Sequence, residues 1–197
     1  MPTCRCPHCG SVFEASSSSF AKDFECPTCA RSFVLDIDHI ARFEFPELLA
    51  IRVVESDGRD WQGPALPVLV RRGCRLPPLR TDGNGCVSVS REMYERATQE
   101  WVATDLMGAK GDYSCERFIE VQVPTISEGI AIASQRGKSG WPISPLEQSL
   151  YGDLESLLQA YALPLEADVG SAQTTIDLAT SAPTFHVTIS VNRAKQG

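Results

Sequence analysis

Histidine is scarce in this chain, with three among 197 residues, and the three stand apart at His8, His39 and His186. That scarcity argues against a histidine-built catalytic metal site with an open coordination position. No stretch of eighteen apolar residues occurs, so the sequence predicts no transmembrane helix. The first residues lack the apolar core of a secretory signal, and none is expected. Basic residues are outnumbered, 18 Lys and Arg against 25 Asp and Glu, for a formal charge of −7. Non-specific nucleic-acid binding relies on cationic side chains replacing counterions, and this balance opposes it. No nucleophile elbow is present, and no His–Cys or His–Ser pairing is visible in the sequence.

What the chain does have is cysteine, eight in all. Cys6 and Cys9 are two residues apart, as are Cys26 and Cys29, and sixteen residues separate the pairs. A tight turn across two intervening residues aims both sulfurs at one ion, and two such turns complete a tetrahedral four-thiolate zinc site. Proline follows the first cysteine of each pair (Pro7, Pro27) and presets φ for the turn. Gly10 suits the left-handed conformation that follows the second ligand, whereas Ala30 would adopt it at a cost of roughly 1 kcal/mol. The spacer reads as a short hairpin between the two turns. A pair of disulfides or a redox-active Cys-x2-Cys is the competing reading, and two matched pairs without a βαβ pattern favour metal. About 35 residues bury too little surface to fold alone, so zinc would supply most of the folding free energy. Val12, Phe13, Phe20, Phe24, Phe33 and Val34 are the candidate miniature core. Cys4 reads as a free surface thiol, with a labile or shared second metal as the sharper alternative.

The residues Cys6-Pro7-His8-Cys9-Gly10 and Cys26-Pro27-Thr28-Cys29-Ala30-Arg31-Ser32-Phe33 resemble the short zinc ribbons of pattern CPxCG…CPxCxxxF. Such ribbons occur on proteins of many functions. This one carries three basic residues (Arg5, Lys22, Arg31) and three acidic ones (Glu14, Asp23, Glu25), and so lacks the basic face of a nucleic-acid reader. Metal thiolates and eight cysteines point to a reducing compartment, the cytoplasm.

A linker is expected around Asp36 to Pro46. Beyond it lie short alternating stretches broken by turns: Leu49–Val53, Leu66–Val70, Cys86–Val89, Trp101–Thr104 and Phe118–Val123. Pro67 marks a strand start or an edge. This spacing predicts an all-β sandwich over residues 45–124. The order of strand, turn, Gly63-Pro64-Ala65, apolar strand, Thr81-Asp82-Gly83-Asn84-Gly85 and strand resembles the carboxypeptidase regulatory-like (transthyretin-like) sandwich domains. That resemblance implies a structural or interaction module and no catalysis. Asp82 and Asn84 suit capping of turn amides with Gly83 and Gly85 at positive φ. Calcium ligation is the alternative, though the carboxylate pattern of a calcium loop is missing. Cys74, Cys86 and Cys115 read as buried thiols. Arg71, Arg72, Arg75 and Arg80 form the one basic cluster, either a solvated loop or a site for phosphate or an acidic surface.

In residues 125–197, Gly137-Lys138-Ser139 lacks the first glycine of a phosphate loop, and 134–140 reads as a polar loop. Ser144-Pro145-Leu146-Glu147 starts a helix with a capping box. Leu146, Leu150, Leu154, Leu157, Leu158 and Tyr161 continue it as one apolar stripe ended by Pro164, expected to pack on the sandwich. Glu147, Asp153 and Glu155 form its polar face, without the cations of a membrane-surface helix. Thr174–Leu178 and Phe185–Val191 read as strands, as antiparallel neighbours, before a frayed tail from Arg193.

The expected whole is mainly β: a zinc ribbon (1–36), a β-sandwich (45–124), and a segment (125–197) with one amphipathic helix. The expected role is a cytoplasmic, non-catalytic zinc-binding scaffold presenting surfaces to protein partners. A nucleic-acid-associated factor using the ribbon and the Arg71–Arg80 loop is the alternative, and a small zinc enzyme a third class.

Overall fold

The computed structural model describes residues 1–104, 113–138, 143–162, 170, 172–180 and 182–192. It is β-rich, with four sheets and four α-helices among the described residues. None of those helices is long and apolar enough to cross a membrane.

The first two sheets are hairpins. Strand β1 (Thr3–Arg5) pairs with β2 (Val12–Glu14), and β3 (Lys22–Glu25) with β4 (Ser32–Leu35), both antiparallel. Each Cys-x2-Cys turn closes one hairpin. The spacer is therefore not a hairpin of its own, because its strands β2 and β3 pair outward with different partners. A 3-10 turn at Ser17–Ser19 connects them. Phe13 and Phe24 stack at 4.9 Å between ring centres, and Phe33 meets both edge-on. Cys4, Ala15 and Leu35 complete this small core, with Phe20 partly buried. Of the remaining expected core residues, Val34 is 54% exposed and Val12 packs on the larger core.

Residues 36–46 are no free linker. Asp36 caps a 3-10 turn at Ile37–His39, and Ala41, Phe43 and Phe45 are buried in the main core. Cys4 forms a bridge to Ile40, and Ala41 N–H donates to Thr3 O at 2.9 Å. The hairpin pair is thus held against the rest of the molecule by backbone as well as side chains.

The main body has two further sheets. In one, β5 (Leu48–Glu55) is central, antiparallel to β9 (Cys86–Ser90) and parallel to β12 (Thr184–Val191). In the other, β6 (Pro67–Arg72) lies between β10 (Phe118–Val123) and β7 (Cys74–Arg75), with β8 (Leu79–Arg80) on its first residues. The outer strand β11 (Ala172–Asp177) pairs with β10. Period-two alternation sends Leu49, Ile51 and Val53 of β5 and Ile119, Val121 and Val123 of β10 into one buried cluster. Trp61 is fully buried there, its indole N–H donating to Pro64 O at 2.8 Å. Strand β6 is buried on both faces: Val68 and Val70 join the main cluster, while Leu69 meets Leu157 and Tyr161. Pro67 stands at its first position, where no ladder donor is needed.

Helix α1 (Arg91–Thr104) takes up the Trp101–Thr104 stretch expected as a strand. Tyr94 stacks on Phe45 at 4.3 Å, so this helix is fixed by the very segment read as a linker. Helix α2 (Ile126–Lys138) replaces most of the loop expected at 134–140, whose last two residues lie outside the described ones. A capping box not read from the sequence starts the helix: Thr125 Oγ1 accepts from Glu128 N, and Glu128 Oε2 accepts from Thr125 N at 2.8 Å.

The expected single C-terminal helix is two. Helix α3 (Pro145–Tyr151) has the capping box at Ser144 and Glu147, and α4 (Leu154–Ala160) begins afresh at Asp153, which accepts from Ser156 N at 2.7 Å. Gly152, at φ +77°, breaks the ladder between them. The turn divides the apolar stripe, burying Leu146 and Leu157 in different clusters and leaving Leu150 39% exposed. Glu147 is buried and paired with Arg136 of α2, not part of a solvated face. Strands β11 and β12 are not hydrogen-bonded neighbours, since each joins a different sheet. Pro164 and the tail from Arg193 lie outside the described residues.

Candidate metal centre

The two turns are near copies. Cys6 N–H donates to Ser11 O and Gly10 N–H to Cys6 O, both at 2.9 Å; Cys26 N–H donates to Arg31 O at 3.0 Å and Ala30 N–H to Cys26 O at 2.9 Å. Gly10 and Ala30 occupy the left-handed region at φ +72° and +56°, as the spacing predicts. His8 N–H points at Cys6 Sγ and Thr28 N–H at Cys26 Sγ, each at 3.4 Å. Backbone donors aimed at sulfur favour the thiolate.

All four sulfurs lie within 4.8 Å of one another, and the Cys6–Cys29 and Cys9–Cys26 pairs are both 3.8 Å apart. A tetrahedron with metal–sulfur arms of about 2.3 Å has edges of about 3.8 Å. The cradle therefore fits a metal ion on four thiolates, consistent with zinc, and among the described residues no other group of three or more His, Cys, Asp or Glu has this arrangement.

Protonation of the four is uneven. Hydrogen bonds from the Ser11 hydroxyl, 3.0 Å away, and from the Ser11 backbone lower the Cys9 thiol. Desolvation raises Cys26, but hydrogen bonds from the Cys29 backbone, the Ser11 hydroxyl and Thr28 N–H outweigh it and bring it to about 6. For Cys29 a hydrogen bond from the Arg31 backbone works downward, yet desolvation and the other sulfurs hold the thiol up at about 11. Four sulfurs this close cannot all ionise without a cation, and a bound divalent ion removes that conflict.

Cys4 is not a surface thiol. It is fully buried in the ribbon core, opposite Phe13, and burial raises its pKa. It stands outside the four-sulfur group. Alternation along β1 sends it inward, a direction that proximity to the terminus does not reveal. His8 is exposed, its ring edge-on to Phe33, and His39 sits beside Asp36 with Nδ1 2.7 Å from Oδ1. Neither joins the metal group.

Of the four arginines of the basic cluster, Arg71 and Arg75 are directly opposed across the β6–β7 ladder, while Arg72 and Arg80 are turned elsewhere. Arg71 and Arg72 alternate on β6: Arg71 faces outward, 3.9 Å from Glu120, whereas Arg72 is 2% exposed in the core. Arg72 donates to the carbonyls of Phe43, Glu116 and Ser114 and lies over the Tyr94 ring. Arg75 is half-buried on β7. Arg80 reaches the other way and donates to Ala65 O and, at 2.8 Å, to Gln159 O near the end of α4. Two of the four thus serve backbone carbonyls, which sequence proximity could not show.

In the Thr81–Gly85 turn, Asp82 Oδ1 accepts from Asn84 N at 2.8 Å and Cys86 N at 2.9 Å, so it caps the turn. Of the two glycines only Gly85 has positive φ, +74°. Cys74 is buried, while Cys86 and Cys115 are half-buried.

Comparison with known proteins adds no assignment: no family model, no curated protein and no solved structure matches this chain.

Proposed function

We propose that this chain is a non-catalytic zinc-binding scaffold, acting in a reducing compartment, the cytoplasm. Its first 36 residues are a structural zinc ribbon of the CPxCG type. The two larger sheets are the faces of a β-sandwich like the carboxypeptidase regulatory-like domains, with the segment after residue 124 packed onto it. The observation that carries the reading is the four-sulfur cradle of Cys6, Cys9, Cys26 and Cys29, with sulfur pairs 3.8 Å apart. Four thiolates close a tetrahedral zinc, leaving no position for water or substrate, so the metal holds structure and performs no chemistry. Ribbon and body would then present rigid surfaces to protein partners. The nucleic-acid alternative is weakened by Arg72, whose guanidinium is engaged in the core.

The test has two parts. Purified protein should contain one zinc per chain, and its cobalt-substituted form should show a tetrahedral four-thiolate spectrum. Captured from native lysate, it should retain a defined set of proteins after nuclease treatment. A cobalt spectrum with a water ligand would revive the enzyme reading. Partners lost on nuclease treatment, with steep salt dependence of binding, would favour nucleic acid.

A further inference from the structure

Strand β12 is unusual among the sheet-forming segments. It runs eight residues, Thr184-Phe185-His186-Val187-Thr188-Ile189-Ser190-Val191, in unbroken parallel register with β5. It contains no Lys, Arg, Asp, Glu, Pro or Gly, and no bulge interrupts the pairing. Among the described residues no strand is hydrogen-bonded to its other edge; Gly170 N–H meets Asn192 O just past its C-terminal end. Natural sheets block such edges with charge, proline or bulges, because an unblocked one templates another strand.

Burial along β12 is uneven. Ile189 and Val191 are buried, yet Phe185 and Val187, which pack against the same core, are only partly covered. Phe185 and Val187 lie toward the start of the strand, away from the Gly170–Asn192 bond, and β11 approaches β12 without hydrogen-bonding to it. On the solvent face stand Thr184, His186, Thr188 and Ser190. On that face Arg52 of β5, the register partner of Thr188, forms an ion pair with Asp60, and Asp82 lines the same cleft as His186 and Thr188.

We propose that β12 is a self-association strand: two copies of this chain pair antiparallel through it, about a twofold axis at Val187. In an antiparallel ladder, opposed residues share a face, so a symmetric pairing must be centred on a residue and not between two. Centring at Val187 sets Val187 against its own copy and Phe185 against Ile189 on the core side. On the solvent side it sets His186 against Thr188 and Thr184 against Ser190. Every opposed pair is then apolar with apolar or polar with polar, and the partly covered Phe185 and Val187 gain neighbours. A net charge of −7 per chain disfavours association in general, but this edge carries none of it. The two three-stranded sheets would join into one of six strands. A contact of this kind falls at the small end of protein interfaces, so association should depend on concentration. The proposal does not rest on the scaffold reading.

The experiment is sedimentation velocity on the full zinc-loaded chain, from about 1 to about 100 μM. The native chain should shift with concentration toward twice its 21.5 kDa. The variant His186→Lys/Thr188→Lys places lysines opposite each other twice across the axis and should stay monomeric. The variant His186→Glu/Thr188→Lys places Glu opposite Lys twice and should dimerise at least as well as the native chain. Both altered residues are exposed. The two variants share the Thr188→Lys change, whose new charge stands beside Arg52, so that repulsion cancels in the comparison and the second variant controls for folding. A native chain that is monomeric throughout overturns the proposal. So does a dimer indifferent to the double lysine, or a Glu/Lys variant as monomeric as the double-lysine one.

Discussion

The Arg72 guanidinium, on β6, donates to the backbone carbonyl of Phe43, tying the centre of one sheet to the segment that leads out of the ribbon. It also donates through Nε to Glu116 O at 2.8 Å, and Tyr94 Oη–H donates to Arg72 O at 3.2 Å. Desolvation works against its charge, lowering its pKa, while Tyr94 and Glu116 push the other way. Removing the side chain would take this donor from the buried Phe43 carbonyl and the partly buried Glu116 carbonyl, whereas Ser114 O still accepts from Phe43 N–H.

Arg72→Ala is therefore expected to destabilise the protein by about 3 kcal/mol, the order found when a buried charged donor is deleted. Arg72→Lys should recover little of this, since an ammonium cannot span carbonyls arranged for a planar fork. Urea denaturation followed by tryptophan fluorescence measures both. A loss below about 1 kcal/mol for the alanine variant would show that the carbonyls find other partners.

The cysteines should separate into two groups. Cys6→Ser or Cys26→Ser should lose bound zinc, read by metal analysis of the purified protein. Cys4→Ser should keep one zinc per chain but melt earlier, because a hydroxyl replaces a thiol in a fully buried apolar site, at about 1–3 kcal/mol. Removing metal from the native chain with a chelator should abolish amide protection at Cys6, Gly10, Cys26 and Ala30. Strands β6 and β10, in a separate buried cluster, should stay protected. Hydrogen exchange distinguishes the two regions, and simultaneous loss of β6 and β10 would mean that the ribbon and body unfold as one.

Two glycines of the same turn should behave oppositely. At Gly85 a Cβ would lie 2.7 Å from Val53 O and 2.9 Å from Trp61 Cβ, in a left-handed conformation. Gly85→Ala should cost about 2–4 kcal/mol. At Gly83 a Cβ would meet nothing within 4 Å, and Gly83→Ala should be nearly neutral. Thermal melts of the two variants decide it.

Acid should loosen the β10–β11 edge. Arg117 donates to Asp177 through Nε at 2.7 Å and Nη2 at 2.5 Å, and this hydrogen bonding, with help from Ala179 N–H, lowers the Asp177 carboxyl below its usual 3.8. A depressed carboxylate stabilises the fold fully above its unfolded pKa, and that contribution fades as pH falls through the lower folded value. Asp177→Asn should flatten the part of the stability profile lying below about pH 4 and lower the plateau above it. The pair is partly exposed, so the effect is modest and shrinks with added salt.

Local chemistry was legible where the chain itself brings the atoms together. The metal cradle could be read from Cys6, Cys9, Cys26 and Cys29, because two intervening residues fix the sulfur directions within each turn. The Ser144–Glu147 capping box and the turn capped by Asp82 were legible for the same reason, and the box at Thr125 and Glu128 carried the same signal. Strands β5, β6, β9, β10, β11 and β12 showed in their apolar alternation. Partnership was not legible. Alternation says that Thr174–Leu178 and Phe185–Val191 are strands, but pairing is decided by which sheet has a free edge within reach, and that depends on the whole chain. Arg71 and Arg72 look equivalent in sequence, yet one more step along a pleated strand turns the second into the core, where three distant carbonyls receive it. The segment 36–46 alternates only over Arg42–Phe45, too briefly to announce a strand, and its place in the core comes from the flank beside Tyr94 and Arg72 that receives Phe43 and Phe45. Sequence alone determined the bonds made within a few residues; the tertiary structure alone decided which surfaces were left for those bonds to face.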